Sequence, residues 1–404
     1  MNQHADALAT IDQQQAAARE SLIRLSNINS GSFNAAGVRA TAEAFAALYA
    51  PLGARTEWLE VAPYESTNDR GQRVQRPLGP ALRLSQRPDA PLQVFCCGHL
   101  DTVFPVDSAF QTARLLDDQT LNGPGVADLK GGLVALFLAL SALERSPLRE
   151  RIGWTVLLNP DEEIGSRSSV PLLKEAAQKH QFGLIYEPAY PDGNLASARK
   201  GSGNFDVIVH GRAAHAGRDF AAGRNALVAA ADFIRDLNAL NGQRGELTIN
   251  PGYVHGGGAL NVVPDTAVFK FNVRTAEPED ECWMQDQLDR LMTRLNDREG
   301  LRCELAGGFT RPPKLVSAQM QRLMDHVGDC GRQLGLGLQF KPTGGCCDGN
   351  NLAAYGLPNL DNMGVVGGDI HSDREWMRLD SLAERAKLSA LLLLRLAHGE
   401  LTWA

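Results

Sequence analysis

Side chains that commonly bind metal ions recur along this chain at the ends of apolar segments. Five of them stand in the order His99, Asp128, Glu163, Glu187 and His371, and four occur where an apolar run gives way to a polar or glycine-rich loop. Imidazole nitrogens combined with carboxylate oxygens suit zinc, with cobalt or manganese as alternatives. The order of these residues therefore predicts a hydrolase that uses two divalent metal ions.

Two further carboxylates stand beside these ligands. Asp101 follows His99 by two positions, and a carboxylate that accepts the second ring N–H orients a ligating histidine. Glu162 directly precedes Glu163 after a predicted strand at residues 154–158, so one glutamate can bind metal while the other stays free as a base. A metal ion lowers the pKa of a water it binds to about 7, within reach of such a base. We therefore expect Asp101 and Glu162 to belong to the catalytic apparatus.

Together these motifs resemble the M20 family of metallopeptidases and deacylases, with the glutamate carboxypeptidase branch nearest. The similarity runs from Ser21 to the C-terminus. The resemblance implies that His99 and Glu187 bind one metal ion, that Glu163 and His371 bind the other, and that Asp128 bridges both.

The same resemblance assigns further roles. It matches Glu162 with the general base and implies a cis peptide between Asp128 and Leu129. Residues 211–217, Gly-Arg-Ala-Ala-His-Ala-Gly, resemble the family's lid motif. The resemblance implies that His215 reaches into the active site of the partner subunit and steadies the oxyanion of the tetrahedral intermediate. The chain is thus expected to form a homodimer through its lid.

Substrate recognition is expected to depend on polar side chains outside the metal ligands. Asn261, within residues 257–264, and the strand-end Arg274 match family positions that bind the free carboxylate of the substrate. Arg311, within residues 310–313, resembles an arginine that contacts an acidic substrate side chain in glutamate-releasing members. Arginine is suited to this because its guanidinium matches a carboxylate with two parallel hydrogen bonds. Lys200 and Asp348 are expected to be structural.

The elements that position these residues predict an α/β fold of two domains. A chain of 404 residues is too long for one compact core. Early strands alternate with helices, and from about residue 203 strands alternate with two helices, an amphipathic one at 225–240 and another at about 279–296. We expect a zinc-peptidase-like catalytic domain, residues 1–200 and 309–404, with a parallel-rich sheet flanked by helices. Residues 201–308 are expected to form an inserted α/β-sandwich lid, or dimerisation, domain.

Composition excludes several classes of partner. A formal net charge of −7 argues against nucleic acid, because there is no basic excess to neutralise phosphates. The longest apolar stretches are too short to span a bilayer.

The first residues lack a positive segment followed by an apolar one, so we expect no secretory signal and a cytoplasmic location. The 7 cysteines fit reduced thiols in that compartment.

One segment departs from the resembled family. Residues 344–350 read Gly-Gly-Cys-Cys-Asp-Gly-Asn, where the family usually has Ser or Thr between the glycines and the aspartate. Cys346 and Cys347 could therefore alter metal affinity, substrate fit or sensitivity to oxidation.

These expectations combine into hydrolysis of an amide bond next to a free carboxylate. The predicted substrate is a small peptide or N-acyl amino acid, and the released amino acid is C-terminal, with glutamate a candidate. An N-acyl-amino-acid deacylase or dipeptidase of other specificity is the alternative within this class. A non-catalytic metal-binding protein on the same fold is the alternative from a different class.

Overall fold

The apolar and alternating segments of the chain fold into two main sheets, each packed against helices. The computed structural model describes residues 4–403. Its helices are α1 Ala5–Gln13, α2 Gln15–Ser26, α3 Ala35–Tyr49, α4 Lys130–Arg145, α5 Val170–Ala177, α6 Ala226–Asn238, α7 Pro278–Asn296, α8 Ala318–Gln333, α9 Asp348–Ala354 and α10 Ser381–His398. Its strands are β1 Arg55–Leu59, β2 Tyr64–Thr67, β3 Arg73–Arg76, β4 Ala81–Gln86, β5 Leu92–His99, β6 Arg114–Leu115, β7 Thr120–Asn122, β8 Ile152–Asn159, β9 Phe182–Ile185, β10 Leu195–Arg199, β11 Gly201–His210, β12 Thr248–Gly256, β13 Thr266–Thr275, β14 Arg302–Arg311, β15 Phe340–Thr343, β16 Asn359–Leu360, β17 Gly367–Gly368 and β18 Trp376–Arg378.

The larger sheet has the strand order β1-β4-β8-β5-β9-β16. Strands β8, β5, β9 and β16 are parallel neighbours, whereas β4 pairs antiparallel with both β1 and β8. Successive side chains of β5 enter different cores, Val94 and Cys96 on one face and Phe95 and Cys97 on the other. Helices therefore cover both faces, as predicted for a parallel-rich sheet.

Helix α4 fixes the position of the loop that carries Asp128. Helix α4 is buried on nearly all sides from Lys130 to Leu143. A helix that is apolar all round belongs inside a core, and α4 packs against α10 there. Because α4 begins two residues after Asp128, this packing holds the Asp128 loop against the sheet.

The smaller sheet has the antiparallel order β12-β13-β11-β14 and forms its own core with α6 and α7. The two predicted helices correspond to α6 and α7. Strand β12 pairs with β13 in a register that is irregular between Pro251 and Tyr253.

These two sheets with their helices confirm an α/β fold of two domains. The exact domain bounds stay a prediction; β11 begins at Gly201, and β14 extends to Arg311. Among residues 4–403, no helix is long and apolar enough to cross a membrane. The cysteines in this part of the chain are free thiols.

Candidate active site

Three of the predicted ligands follow strands that end at one edge of the large sheet. His99 is the last residue of β5, Glu163 lies in a 3-10 turn after β8, and Glu187 comes shortly after β9. Strand β5 pairs in parallel with both β8 and β9, so their carboxyl ends lie side by side. Ligand sites form at such edges because the loops after parallel strands converge there.

Asp128 lies between the two predicted histidine ligands. Its Oδ1 is 3.2 Å from His99 Nε2, and its Oδ2 is 3.1 Å from His371 Nε2. Glu187 Oε1 is 3.9 Å from His99 Nε2, and Glu163 Oε2 is 3.2 Å from His371 Nε2. One carboxylate thus presents an oxygen to each of two histidine–glutamate pairs, which is the arrangement a bridging ligand requires.

The charges at this cluster fit divalent cations. Burial, followed by repulsion from Asp128, raises the pKa of the Glu163 carboxyl to about 8. Burial and the neighbouring Glu162 and Asp128 carboxylates also raise the pKa of Glu187 well above its ordinary value. Buried carboxylates that repel one another are stabilised in their charged form by a cation between them, and the nitrogen and oxygen donors suit zinc.

Glu375 is a residue of this site that the sequence analysis missed. Its buried carboxylate accepts hydrogen bonds from the backbone N–H groups of Gly125, Ala127 and Asp128 at 3.2, 2.9 and 3.0 Å. The Asp128–Leu129 peptide that follows is cis, as the family resemblance implied. Glu375 therefore holds the loop of the bridging aspartate. No sequence pattern marked it, because its partners are backbone groups that do not depend on residue type.

Asp101 connects the His99 strand to the Glu162–Glu163 turn. Its carboxylate accepts hydrogen bonds from the backbone N–H groups of Glu162 and Glu163 at 3.1 and 3.2 Å, and from Ser32 Oγ at 2.7 Å. The nearest acceptor to His99 Nδ1 is the backbone carbonyl of Asp101 at 2.9 Å, while its carboxylate Oδ1 is 3.5 Å away. Asp101 thus orients His99 mainly through its backbone and positions the turn through its side chain.

Glu162 is buried beside the predicted ligands and pairs with Arg311. The donor atoms of His99, Glu162 and Glu187 lie within 4.8 Å of one another. Arg311 Nη2 is 2.7 Å from Glu162 Oε1 and donates to the Glu162 backbone carbonyl at 2.8 Å. Burial raises the pKa of Glu162, and the Arg311 guanidinium opposes that rise. The sequence analysis anticipated Arg311 near the substrate but not its contact with the base.

A cavity of about 510 Å³ opens onto this cluster, and three arginines contribute to its lining. Arg199, Arg274 and Arg311 line it together with Cys346. Arg199 Nε pairs with the buried Asp361 at 2.6 Å. Lys200 lies apart, with Nζ paired to Glu246 on the lid.

His215 and Asn261 do not line this cavity within the described chain. They are neighbours in the lid, where Ala216 N donates to the Asn261 carbonyl at 2.8 Å and Gly217 N donates to His215 Nδ1 at 3.1 Å. Leu260, beside Asn261, is 101% exposed. One chain therefore brings together the predicted ligands, Glu162, Arg274 and Arg311, and leaves His215 and Asn261 outside.

Comparison with known proteins adds relatives of several specificities. Residues 197–299 match a family described as the M20 peptidase dimerisation domain. The chain is 28% identical to carboxypeptidase G2 of Pseudomonas sp. (strain RS-16), over 75% of this chain and 73% of that protein. It is 26% identical to the succinyl-diaminopimelate desuccinylase of Gluconobacter oxydans (strain 621H), over 72% of this chain and 78% of that enzyme.

The fold of this chain is similar to that of a solved structure from Bacillus subtilis, described as a dinuclear metal-binding peptidase of the M20 family. The two share a TM-score of 0.66 at 14% identity, over 96% of this chain and 99% of that chain.

Proposed function

Because this chain belongs to the M20 family of metallohydrolases, we propose that it hydrolyses the amide bond next to a free carboxylate. The released product is a C-terminal amino acid, with glutamate the first candidate, and the substrate is a peptide or N-acyl amino acid. The observation that carries the proposal is the position of Asp128 between His99 and His371, with the Glu162 carboxylate in the same buried cluster.

The residues of the cluster divide into two sets around Asp128. His99 and Glu187 would hold one divalent cation, and Glu163 and His371 the other, with Asp128 common to both. Zinc fits these donors best, with cobalt or manganese as alternatives. Bound cations of this kind polarise a carbonyl oxygen and make a water molecule more acidic.

Glu162 is the proposed general base. Its Oε1 is engaged by Arg311 Nη2, so we assign proton transfer to Oε2. This oxygen takes a proton from the attacking water and returns it to the leaving amine, a role worth about 10²–10⁴-fold in rate. Asp101 supports it by holding the backbone of the turn on which Glu162 lies.

Arg274 is the proposed anchor for the free carboxylate of the substrate. Of the three arginines of the cavity, Arg199 pairs with Asp361 and Arg311 with Glu162. Within residues 4–403, Arg274 forms no ion pair with a carboxylate, and its Nη1 contacts Cys346 Sγ instead. Its charge is therefore available for a ligand that carries a carboxylate.

A homodimer through the lid would complete the site. Strand β12 lies at the edge of the lid sheet and exposes Tyr253 and Val254, which is the kind of apolar edge that proteins cover with a partner. We propose that the dimer brings His215 of one chain to the metal site of the other, where it stabilises the oxyanion, and that Asn261 accompanies it.

The similarity to a desuccinylase favours a second candidate within the same chemistry, an N-acyl-amino-acid deacylase. A panel of dipeptides and N-acyl amino acids with varied C-terminal residues separates the two, using zinc- or cobalt-loaded protein. Fastest turnover at C-terminal glutamate supports the carboxypeptidase assignment, whereas a preference set by the acyl group supports the deacylase.

The variant Glu162→Gln provides the control for this panel, because it removes the base and keeps the size of the side chain. Turnover in the native protein that disappears in the variant supports the mechanism. A protein that holds two metal ions and hydrolyses no member of the panel would instead be the non-catalytic metal-binding protein.

A further inference from the structure

Cys346 lies between two arginines at the seam of the two domains. Arg274 Nη1 is 2.9 Å and Arg311 Nη1 is 3.8 Å from Cys346 Sγ. Arg274 belongs to β13 and Arg311 to β14 of the lid sheet, whereas Cys346 precedes α9 of the large domain. All three side chains line the cavity beside the metal site. A thiol therefore occupies the place where two guanidinium groups converge.

Arg311 has a donor that is not used within the described chain. Arg311 is only 6% exposed, and its Nη2 donates to Glu162 and Ser166. Its Nε is buried and has no hydrogen-bond partner among residues 4–403. Buried donors are nearly always paired, and a thiol sulfur is a weak acceptor. The pair of guanidinium groups is thus better matched to an oxyanion than to the sulfur now between them.

The environment of Cys346 differs from that of the other cysteines. Cys96, Cys97, Cys303, Cys330 and Cys347 are buried, and burial raises the pKa of the Cys96 thiol to about 12 and those of Cys303 and Cys330 to about 11. Protonated, buried thiols react slowly. Within the described chain, Cys346 is half-buried and Cys282, on α7 of the lid, is exposed. Cys282 therefore serves as the internal reference for an accessible thiol.

We propose that Cys346 is a modification site for disulfides that carry a carboxylate, which the two arginines draw to the sulfur. Cys346 Sγ attacks one sulfur of the disulfide, and a new S–S bond forms as the old one breaks. The other half of the disulfide leaves as a thiolate, and the thiol proton of Cys346 passes to water. The attached group fills the cavity beside Glu162, so hydrolysis stops until a reducing thiol removes it. Only this loss of hydrolysis rests on the proposed function.

The test compares two disulfides at two thiols. The variant Cys282→Ser leaves Cys346 as the accessible thiol, and Cys346→Ser leaves Cys282. Each metal-loaded variant is treated with dithiobis(nitrobenzoate), which carries carboxylates, and with the neutral dithiodipyridine. Rates come from the released chromophore, and mass spectrometry identifies the labelled residue. For each cysteine, the labelling rate with the carboxylate reagent is divided by the rate with the neutral reagent. Comparing this ratio at Cys346 with the same ratio at Cys282 cancels the difference in intrinsic reactivity between the two reagents.

We expect Cys346 to favour the carboxylate reagent by about tenfold over Cys282 at low salt. This preference should fall in Arg274→Gln in the Cys282→Ser background, and glutarate should slow the labelling of Cys346 but not of Cys282. Labelling of Cys346 should abolish hydrolysis, and dithiothreitol should restore it. The activity of Cys346→Ser should be the same before and after treatment with the disulfide.

Equal preference at the two cysteines, or full labelling of Cys346 with hydrolysis intact, would overturn the inference. A protein without any hydrolytic activity would contradict the proposed function instead. The labelling ratio and its loss in Arg274→Gln still decide the modification site in that case, because neither needs turnover.

Discussion

Arg311 forms a buried ion pair with Glu162, the residue proposed as the base. Its Nη2 is 2.7 Å from Glu162 Oε1, and the same nitrogen donates to the backbone carbonyl of Glu162 and to Ser166 Oγ, each at 2.8 Å. Ser166 Oγ in turn donates to Asp348. The arginine thus fixes both the side chain and the backbone of the turn that carries the base. Its position makes it a positioning residue as well as a candidate for substrate contact.

Replacing Arg311 should slow hydrolysis of every substrate. We expect Arg311→Ala to lower kcat by about 10²-fold, because a small displacement of a catalytic group has that effect. The acidic limb of the kcat/KM profile should move to higher pH, since burial raises the pKa of Glu162 and Arg311 opposes it. Steady-state kinetics on Glu- and Ala-terminated substrates, with Arg311→Lys as the charge-retaining control, measure both effects. A loss confined to the Glu-terminated substrate would show that Arg311 selects the substrate instead.

Glu375 should control metal affinity without touching the metal. Its two carboxylate oxygens accept hydrogen bonds from three backbone N–H groups of the Asp128 loop, and a glutamine would replace one of these oxygens by an NH₂ donor. We expect Glu375→Gln to weaken zinc binding by about 10–100-fold and to lower the free energy of unfolding by about 1–3 kcal/mol. Competition with a chromophoric chelator and urea unfolding measure these effects. The exposed Glu150→Gln is the control, and an affinity equal to that of Glu150→Gln would remove Glu375 from the site.

The proximity of the predicted ligand residues could be anticipated because their sequence signals are local. An apolar strand that ends in a histidine or glutamate can be recognised within ten residues, and the order of strands then brings those ends together. Glu375 and the Arg311–Glu162 pair could not be predicted in this way. Their contacts join residues 247–250 and 149 positions apart and depend on how the loops pack. The Asp101 carboxylate was predicted to orient His99, two residues away. It also accepts a hydrogen bond from the backbone of Glu162, 61 residues later, which no local pattern indicated.

Buried charges behind the cavity should make stability depend on acid pH. Asp361 is fully buried, which raises its pKa, but Lys314 and Arg199 outweigh burial and lower that pKa to about 2. The pKa of an aspartate in an unfolded chain is about 4, so the contacts of Asp361 with Lys314 and Arg199 stabilise the fold above pH ~4. This contribution is lost as the pH falls toward ~2. It amounts to roughly 2–3 kcal/mol.

The variant Asp361→Asn isolates this effect. We expect it to lower the free energy of unfolding at pH 7 by about 3–5 kcal/mol, because Lys314 and Arg199 remain buried without their counter-ion. Its stability should also fall less than that of the native protein between pH 4 and 2. Urea unfolding across this range gives both quantities. Asp192→Asn, which removes an exposed pair with Lys341, should change the stability by no more than about 1 kcal/mol. Parallel pH curves for Asp361→Asn and the native protein would contradict the assignment.

Mixing two inactive variants should restore activity if His215 acts across the dimer. His215 lies outside the cavity of its own chain, whereas Glu162 lines it. In a hybrid of Glu162→Gln and His215→Ala chains, the site on the His215→Ala chain keeps its own Glu162 and receives His215 from the partner. Half of randomly mixed dimers are hybrids with one complete site of two, so recovery should approach about a quarter of native activity. Activity is measured after denaturing and refolding the variants together and separately, with size-exclusion chromatography to establish that dimers form. Dimers that form without any recovery would place His215 in the site of its own chain, and the lid would then have to close within one subunit.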